Sequence, residues 1–263
     1  LEAHVKSGRI RNVGFSFHGT SDTFCDLLEV YDWDFCQIQY NYLDEYSQGG
    51  VVGLRKAHSM GIPVIIMEPL RGGKLTDKLP KDAVTAFRDS DHDWSPAEWG
   101  LRWLWNQPEV TSVLSGMNSM EMLQENVRAA SEVEIGAFGP EEFAVIERAR
   151  TAIESSMKIG CTECRYCMPC PKGVDIPGIF SAYNRAFVDG KMDARLAYLQ
   201  GCVMREDPGF ATACVRCGKC ESHCPQSLPI MNLLQEADKL LSPLPFRIGR
   251  SVVRTFTGAG KKK

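Results

Sequence analysis

Cys214-Val215-Arg216-Cys217-Gly218-Lys219-Cys220-Glu221-Ser222-His223-Cys224-Pro225 decides how the C-terminal part of this chain folds. The spacing is C-x2-C-x2-C-x3-C-P. Cysteines two residues apart on a tight loop turn three thiolates toward one small iron–sulfur cubane, and a fourth before a proline supplies the last ligand, often to the other cluster of a pair. A related run lies upstream: Cys161-Thr-Glu-Cys164-Arg-Tyr-Cys167-Met-Pro-Cys170-Pro171. Together the runs hold eight of the eleven cysteines. They point to two [4Fe–4S] clusters and to redox chemistry.

Two other readings of the thiols compete. A structural zinc ion takes four ligands, usually as two separated pairs. Here three close cysteines plus a fourth occur twice over, which suits a cubane better, and His223 is read as a bystander. Disulfide scaffolds belong to small secreted domains, whereas this chain has 263 residues, 44% hydrophobic content and no stretch resembling a signal peptide. Cys25 and Cys36 sit in apolar surroundings and read as core, and Cys202 reads as packing. The runs resemble those of two-cluster bacterial ferredoxins. That resemblance assigns Cys161, Cys164, Cys167 and Cys224 to one cluster, and Cys214, Cys217, Cys220 and Cys170 to the other. The first run departs from the pattern, with two residues rather than three before Cys170.

Between the runs, residues 171–213 read as helical, with Ile179, Phe180, Tyr183 and Phe187 in one stripe and Leu196, Leu199 and Cys202 opening another. A closing helix is expected over Leu228–Leu241. From Arg247 to Lys263 the chain carries Arg247, Arg250, Arg254, Lys261, Lys262 and Lys263 and no acid, a basic tail expected to be solvated.

Upstream, residues 1–135 alternate strand-like and helix-like segments. Strands are expected at Ile10–Phe17, Phe35–Tyr40, Ile62–Met67 and Val110–Ser115, with helices near 21–31, 50–60, 95–107, 119–130 and 140–157. Ser95, Pro96 and Glu98 read as N-cap, N1 and N3 of a capping box, and Gly61 as a C′ residue. Strand–helix alternation implies an α/β fold with a parallel sheet. The expected organisation is residues 1–138 as the α/β part, 139–158 as a connecting helix, 159–242 as a mainly helical two-cluster domain and 243–263 as the tail. Net charge of −3 argues against a general nucleic-acid binder. Apolar stretches such as Ile62–Met67 are too short to span a bilayer, and the cluster motifs imply a reducing, cytoplasmic compartment.

Three features of the α/β part carry chemistry. Phe35-Cys-Gln-Ile-Gln-Tyr40 puts the amides of Gln37 and Gln39 on one face of a strand expected to be covered on both sides, so they need a ligand or an internal polar network. Gly14-Phe-Ser-Phe-His18 ends a strand with Ser16 and His18, where barrels place functional groups. Glu68-Pro-Leu-Arg-Gly-Gly73 is a glycine-bearing loop whose N–H groups can approach a pyrophosphate.

In order along the chain, Gly8-Arg-Ile-Arg-Asn-Val-Gly-Phe-Ser16, Gln37-Ile-Gln-Tyr-Asn41, Met67-Glu-Pro-Leu70, Leu101-Arg-Trp103, Ser115-Gly-Met-Asn-Ser and Glu125-Asn126 resemble the aldo/keto reductases. The cysteine runs, with Cys-Pro-Lys-Gly-Val-Asp-Ile-Pro177, resemble the branch carrying a C-terminal double-cluster ferredoxin-like domain. The resemblance implies a (β/α)8 barrel, a nicotinamide cofactor, NAD(P), and a small carbonyl or alcohol substrate. It places Ser16 and Gln37 on the carboxamide, Met67 where many members stack a tyrosine on the nicotinamide, and Leu70 with Arg71, Gly72 and Gly73 along the pyrophosphate. Gly116, Met117 and Asn118 would meet the adenosine phosphate and Asn126 the adenine. Met122 stands where NADPH-preferring members often carry an arginine.

The family's catalytic Asp, Tyr, Lys and His lie on its first four strands, and this chain reads as beginning just before the fifth. The sequence therefore predicts strands five to eight of the barrel and a fragment inactive alone, with catalytic residues unassigned; His18 is given a core or nucleotide-side role. Hydride carries two electrons and a cluster one, and three resolutions are open: a separate ferredoxin or flavoprotein partner, a flavin or other acceptor in the missing half, or clusters that are structural. Electron transfer is the favoured reading. An electron-transfer or interaction module without hydride chemistry is the alternative.

Overall fold

The computed structural model describes residues 1–77, 79–188, 190–203, 208–243 and 246. The basic tail from Arg247 lies outside the described residues. The chain divides into two compact units, Leu1–Ile153 and Glu154–Lys263.

The first unit is built of α1 (Glu2–Lys6), β1 (Gly14–Phe17), α2 (Ser21–Glu29), β2 (Phe35–Gln39), α3 (Gly50–Ser59), β3 (Val64–Met67), α4 (Lys81–Arg88), α5 (Pro96–Trp105), β4 (Ser112–Val113), α6 (Met120–Glu132) and α7 (Pro140–Ser156). The four strands are parallel in the order β1-β2-β3-β4. Consecutive parallel order is that of a barrel wall, whereas a doubly wound sheet reverses its order at a switch point. The α/β fold with a parallel sheet is thus as the sequence reading expects.

One face of the sheet packs under the helices. Cys36, Ile38, Val64 and Ile66 are buried there, with Phe24 and Leu28 of α2 and Leu54 and Ala57 of α3. Gly14 is required by close approach: a Cβ there would stand 2.6 Å from the Phe35 ring. On the opposite face Ser16 is exposed and Gln37, Ile65 and Met67 are half-buried. The expectation of a sheet covered on both sides is met on this face only at Gln39, which is 1% exposed.

Two strands are shorter than the pattern predicts. Arg9 and Ile10 N–H groups both turn back to His4 O, and Val13 N–H donates to the Asp34 carboxylate, so β1 starts only at Gly14. Val110 N–H closes a turn on Gln107 O and Thr111 Oγ1 accepts from Val64 N–H, which confines β4 to Ser112–Val113. Helix α4 is missed by the sequence reading, although Ala83, Ala86 and Phe87 bury at helical spacing behind Pro80. Gly61 follows α3 at φ 73, as a C′ glycine does.

The second unit contains α8 (Ile176–Arg185), α9 (Lys191–Tyr198), a wide turn over Leu199–Val203, α10 (Lys219–Ser222) and α11 (Ile230–Leu241). No strand occurs among its described residues. Its core joins Val174, Ile179, Phe180, Tyr198, Leu234 and Leu241. Cys202 is buried in that core and Cys36 in the core of the first unit, both as packing residues. No helix among the described residues is long and apolar enough to cross a membrane.

Candidate cofactor and cluster sites

Parallel register puts Ser16 beside Gln37, and Gln39 beside Met67. At these strand ends Gln37 Nε2 donates to Ser16 Oγ at 3.4 Å and to Met67 Sδ at 3.4 Å, and Ser16 Oγ lies 3.8 Å from Met67 Sδ. An amide, a hydroxyl and a thioether from three strands therefore meet on the open face of the sheet. An amide and a hydroxyl can match a carboxamide, and a thioether packs well against an aromatic ring.

Beside this trio runs a buried polar network that the sequence reading raised only as one of two options for Gln39. His18 Nδ1 donates to Gln48 Oε1 at 2.9 Å and Gln48 Nε2 to Gln39 Oε1 at 2.6 Å. Gln39 Nε2 donates to Asp44 Oδ2 at 3.0 Å, as does Asn41 Nδ2. Arg71 Nε reaches the same oxygen at 3.0 Å. Asp44 and Gln48 were not singled out from sequence. The available signal was the Asn41-x-x-Asp44 spacing straight after a buried strand, for Asn41 Oδ1 accepts from the N–H groups of Leu43 and Asp44.

Arg71 itself is turned inward, 3% exposed. Its N–H and that of Gly73 are spent on Glu68 O and Leu70 O inside a tight turn over Arg71–Gly73. Glu68, Arg71, Gly72 and Gly73 all stand at positive φ, a run that a plain loop does not require. Burial, the leading cause, holds the Glu68 carboxyl above the usual glutamate range, and Asp44 adds to it while His18, Arg71 and Lys74 oppose it. Farther along, Gly116, Met117 and Asn118 form an exposed loop. Asn126 Nδ2 donates to Ser115 Oγ at 3.0 Å, tying α6 to that loop, and Met122 is exposed on the same helix.

In the second unit the two cysteine runs repeat one backbone shape. Glu163 and Arg165 flank Cys164 at positive φ, and Arg216 and Gly218 flank Cys217 likewise. Three of these four are not glycine, and a left-handed non-glycine residue costs about 1–3 kcal/mol. Such alternation curls successive N–H groups inward into a nest, a backbone concavity that binds anions and iron–sulfur groups. Glu163 N–H already points at Cys161 Sγ, 3.4 Å away.

The thiols line two concavities. Cys170, Cys214, Cys217 and Cys220 line one of about 250 Å³, and Cys161, Cys164, Cys167 and Cys224 line a narrower one of about 20 Å³, with Cys167 reaching both. Each run thus lends its fourth cysteine to the other run's set. Among the described residues no three His, Cys, Asp or Glu side chains converge as the ligands of a single metal ion do. His223 Nδ1 contacts Lys219 O at 2.7 Å. Burial first, then the neighbouring Cys161 and Cys164, pushes the Cys167 thiol up to about 12, so an incoming metal has to displace its proton. The donor set and the nests suit iron–sulfur groups; the concavity of about 250 Å³ has room for one, whereas that of about 20 Å³ is the size of a single water as it stands.

Comparisons with known proteins agree with this division. The family model described as "Aldo/keto reductase family" matches residues 1–150, and that described as "4Fe-4S dicluster domain" matches residues 160–228. Among solved structures, the holo form of aldo-keto reductase AKR11C1 from Bacillus halodurans is 20% identical, with 56% of this chain and 53% of that chain covered at a TM-score of 0.45. The apo form of the same protein is also 20% identical, with 56% and 54% covered and a TM-score of 0.45. The chain therefore spans about half the length of these solved structures. No curated protein matches it. The chain belongs to the aldo/keto reductase family and joins that reductase segment to a 4Fe-4S dicluster domain.

Proposed function

We propose that this chain is the cofactor-side part of an iron–sulfur oxidoreductase in which nicotinamide-dependent carbonyl/alcohol redox is coupled to electron transfer through two [4Fe–4S] clusters. A bound nicotinamide would supply hydride and bound clusters single electrons. Ser16 and Gln37 orient the carboxamide, Met67 packs against the ring, and Asn126 with the Gly116–Asn118 loop receives the adenosine end. Leu70 and the turn at Arg71, Gly72 and Gly73 border the pyrophosphate, with Arg71 acting through Asp44 to hold the turn. The cluster ligands are Cys161, Cys164, Cys167 and Cys224 in one set, and Cys170, Cys214, Cys217 and Cys220 in the other. Positioned donors raise the rate only where proton transfer is also supplied. No proton donor for carbonyl reduction is assigned among the described residues, so residues 1–263 alone are expected to bind cofactor and to lack carbonyl reductase activity. The clusters' lability to oxidants accords with a reducing, cytoplasmic setting.

The observation that carries this reading is the exchange of fourth cysteines between two runs that share a pair of left-handed residues around their second cysteine. Anaerobic purification followed by iron and acid-labile sulfide assay tests it. About eight of each per chain, with a split reduced-cubane EPR signal, is expected. Zinc without labile sulfide would overturn the electron-transfer part and leave a structural metal domain. Titration with NADH and NADPH, read by nicotinamide fluorescence, tests the other half, and loss of that binding in Gln37→Ala is the expected result.

A further inference from the structure

We propose that the surface around Cys217 is the docking face for an acidic one-electron carrier protein; this rests on the electron-transfer reading above. Of the eight thiols in the two runs, only that of Cys217 sits on an exposed residue. The rate of electron tunnelling falls steeply with distance, so a carrier has to approach where a cluster is least covered. The other concavity is narrower, about 20 Å³, and none of the four cysteines that line it sits on an exposed residue. The 250 Å³ concavity is bordered instead by Tyr166 and Val215, 52% and 58% exposed. Around that apolar centre stand Lys172, Arg216 and Lys219, all exposed.

These cations are uncompensated. Neither Lys172 nor Lys219 forms an ion pair among the described residues, and Arg216 donates to the neutral Asn232 side chain at 2.9 Å. Glu221, the acid within the same run, has turned Oε1 to Met231 N–H at 2.8 Å. A small apolar patch inside a basic rim, on a chain whose net charge is −3, is a local field of the opposite sign to the whole. Such a field steers a partner by orientation. Redox encounters bury less than about 1,200 Å², so a carrier needs only a small face. The transfer moves one electron between the carrier and the cluster set of Cys170, Cys214, Cys217 and Cys220. No bond is made or broken.

The test mixes the anaerobically loaded chain with reduced, acidic plant-type ferredoxin in a stopped-flow instrument and follows cluster reduction. Lys172→Glu/Lys219→Glu is compared with the native chain and with Lys6→Glu/Lys81→Glu, which makes the same change in net charge far along the sequence. Iron content and EPR signal are checked in each. The expected result is a second-order rate at least about tenfold lower for the first variant at low salt, a gap that closes at high ionic strength. Equal rates in the two variants would overturn the docking face and leave electron transfer standing. Photoreduced 5-deazariboflavin, a neutral reductant, separates the remaining case: clusters that neither it nor ferredoxin reduces would sink the electron-transfer reading and this inference with it.

Discussion

Glu68 makes the first unit sensitive to pH. It follows β3 directly, sits at φ 52, and its O accepts from Asn41 Nδ2 at 3.1 Å. Burial raises its carboxyl above the ordinary glutamate value. The unfolded chain therefore loses this proton first, and between the two values the folded state binds more protons. Stability is fully present below the unfolded value and falls as pH rises through that window. Glu68→Gln should flatten the pH dependence of the urea midpoint between the ordinary glutamate range and neutrality, and raise the midpoint at neutral pH. An unchanged slope would mean that the carboxyl is solvated. The fate of Arg71 is a related matter of environment. Its sequence neighbours Gly72 and Gly73 read as a ligand loop, and only the fold brings up Asp44, 27 positions earlier, to claim the guanidinium. Cys36 is legible from its own strand, because the period of two puts it with Ile38 on the buried face of β2.

Helix α5 illustrates how far an element can be read from its own residues. Ser95 caps it as the pattern says, accepting from Glu98 N–H at 3.1 Å, and it also donates to the Glu125 carboxylate. The expected capping box is only half formed. Glu98, 1% exposed, gives its carboxylate to Arg102 Nε at 2.8 Å and Arg128 Nη2 at 2.7 Å, joining α5 to α6. A partner 30 residues away outcompetes the local N–H, and no local rule contains that partner. Ser95→Ala should cost the first unit about 1 kcal/mol, the worth of an N-cap. Glu98→Ala should cost about 3–5 kcal/mol, because Arg102 is left buried with only the half-exposed Glu132. Urea midpoints of the two variants check the order, and a larger loss for Ser95→Ala would mean that the buried pair contributes nothing net. Strand ends were misjudged for the same reason: Asp34 and Thr111 intercept backbone N–H groups that a period-2 pattern counts as ladder.

The whole chain has two cores of different character. The first is a sheet with helices, whose alternating pattern is legible because each element carries its own periodicity. The second rests on helices of 10, 8, 4 and 12 residues, each at or below the length that is marginal alone in water. Two of its loops hold left-handed non-glycine residues at Glu163, Arg165 and Arg216, at about 1–3 kcal/mol each. On the proposed reading, groups bound by the thiolates of the two runs help offset that cost, since ligand binding to the folded state alone is folding free energy. Chelation of iron under a mild oxidant should therefore remove amide-exchange protection from α8, α9 and α11 while β2, β3 and α3 keep theirs, as read by hydrogen-exchange mass spectrometry. Persistent protection throughout the second unit would mean that Ile179, Phe180, Leu234 and their neighbours suffice as a core. Loss of protection in both units would mean that the chain unfolds as one cooperative body, in which case cluster occupancy would govern the proposed nicotinamide site as well.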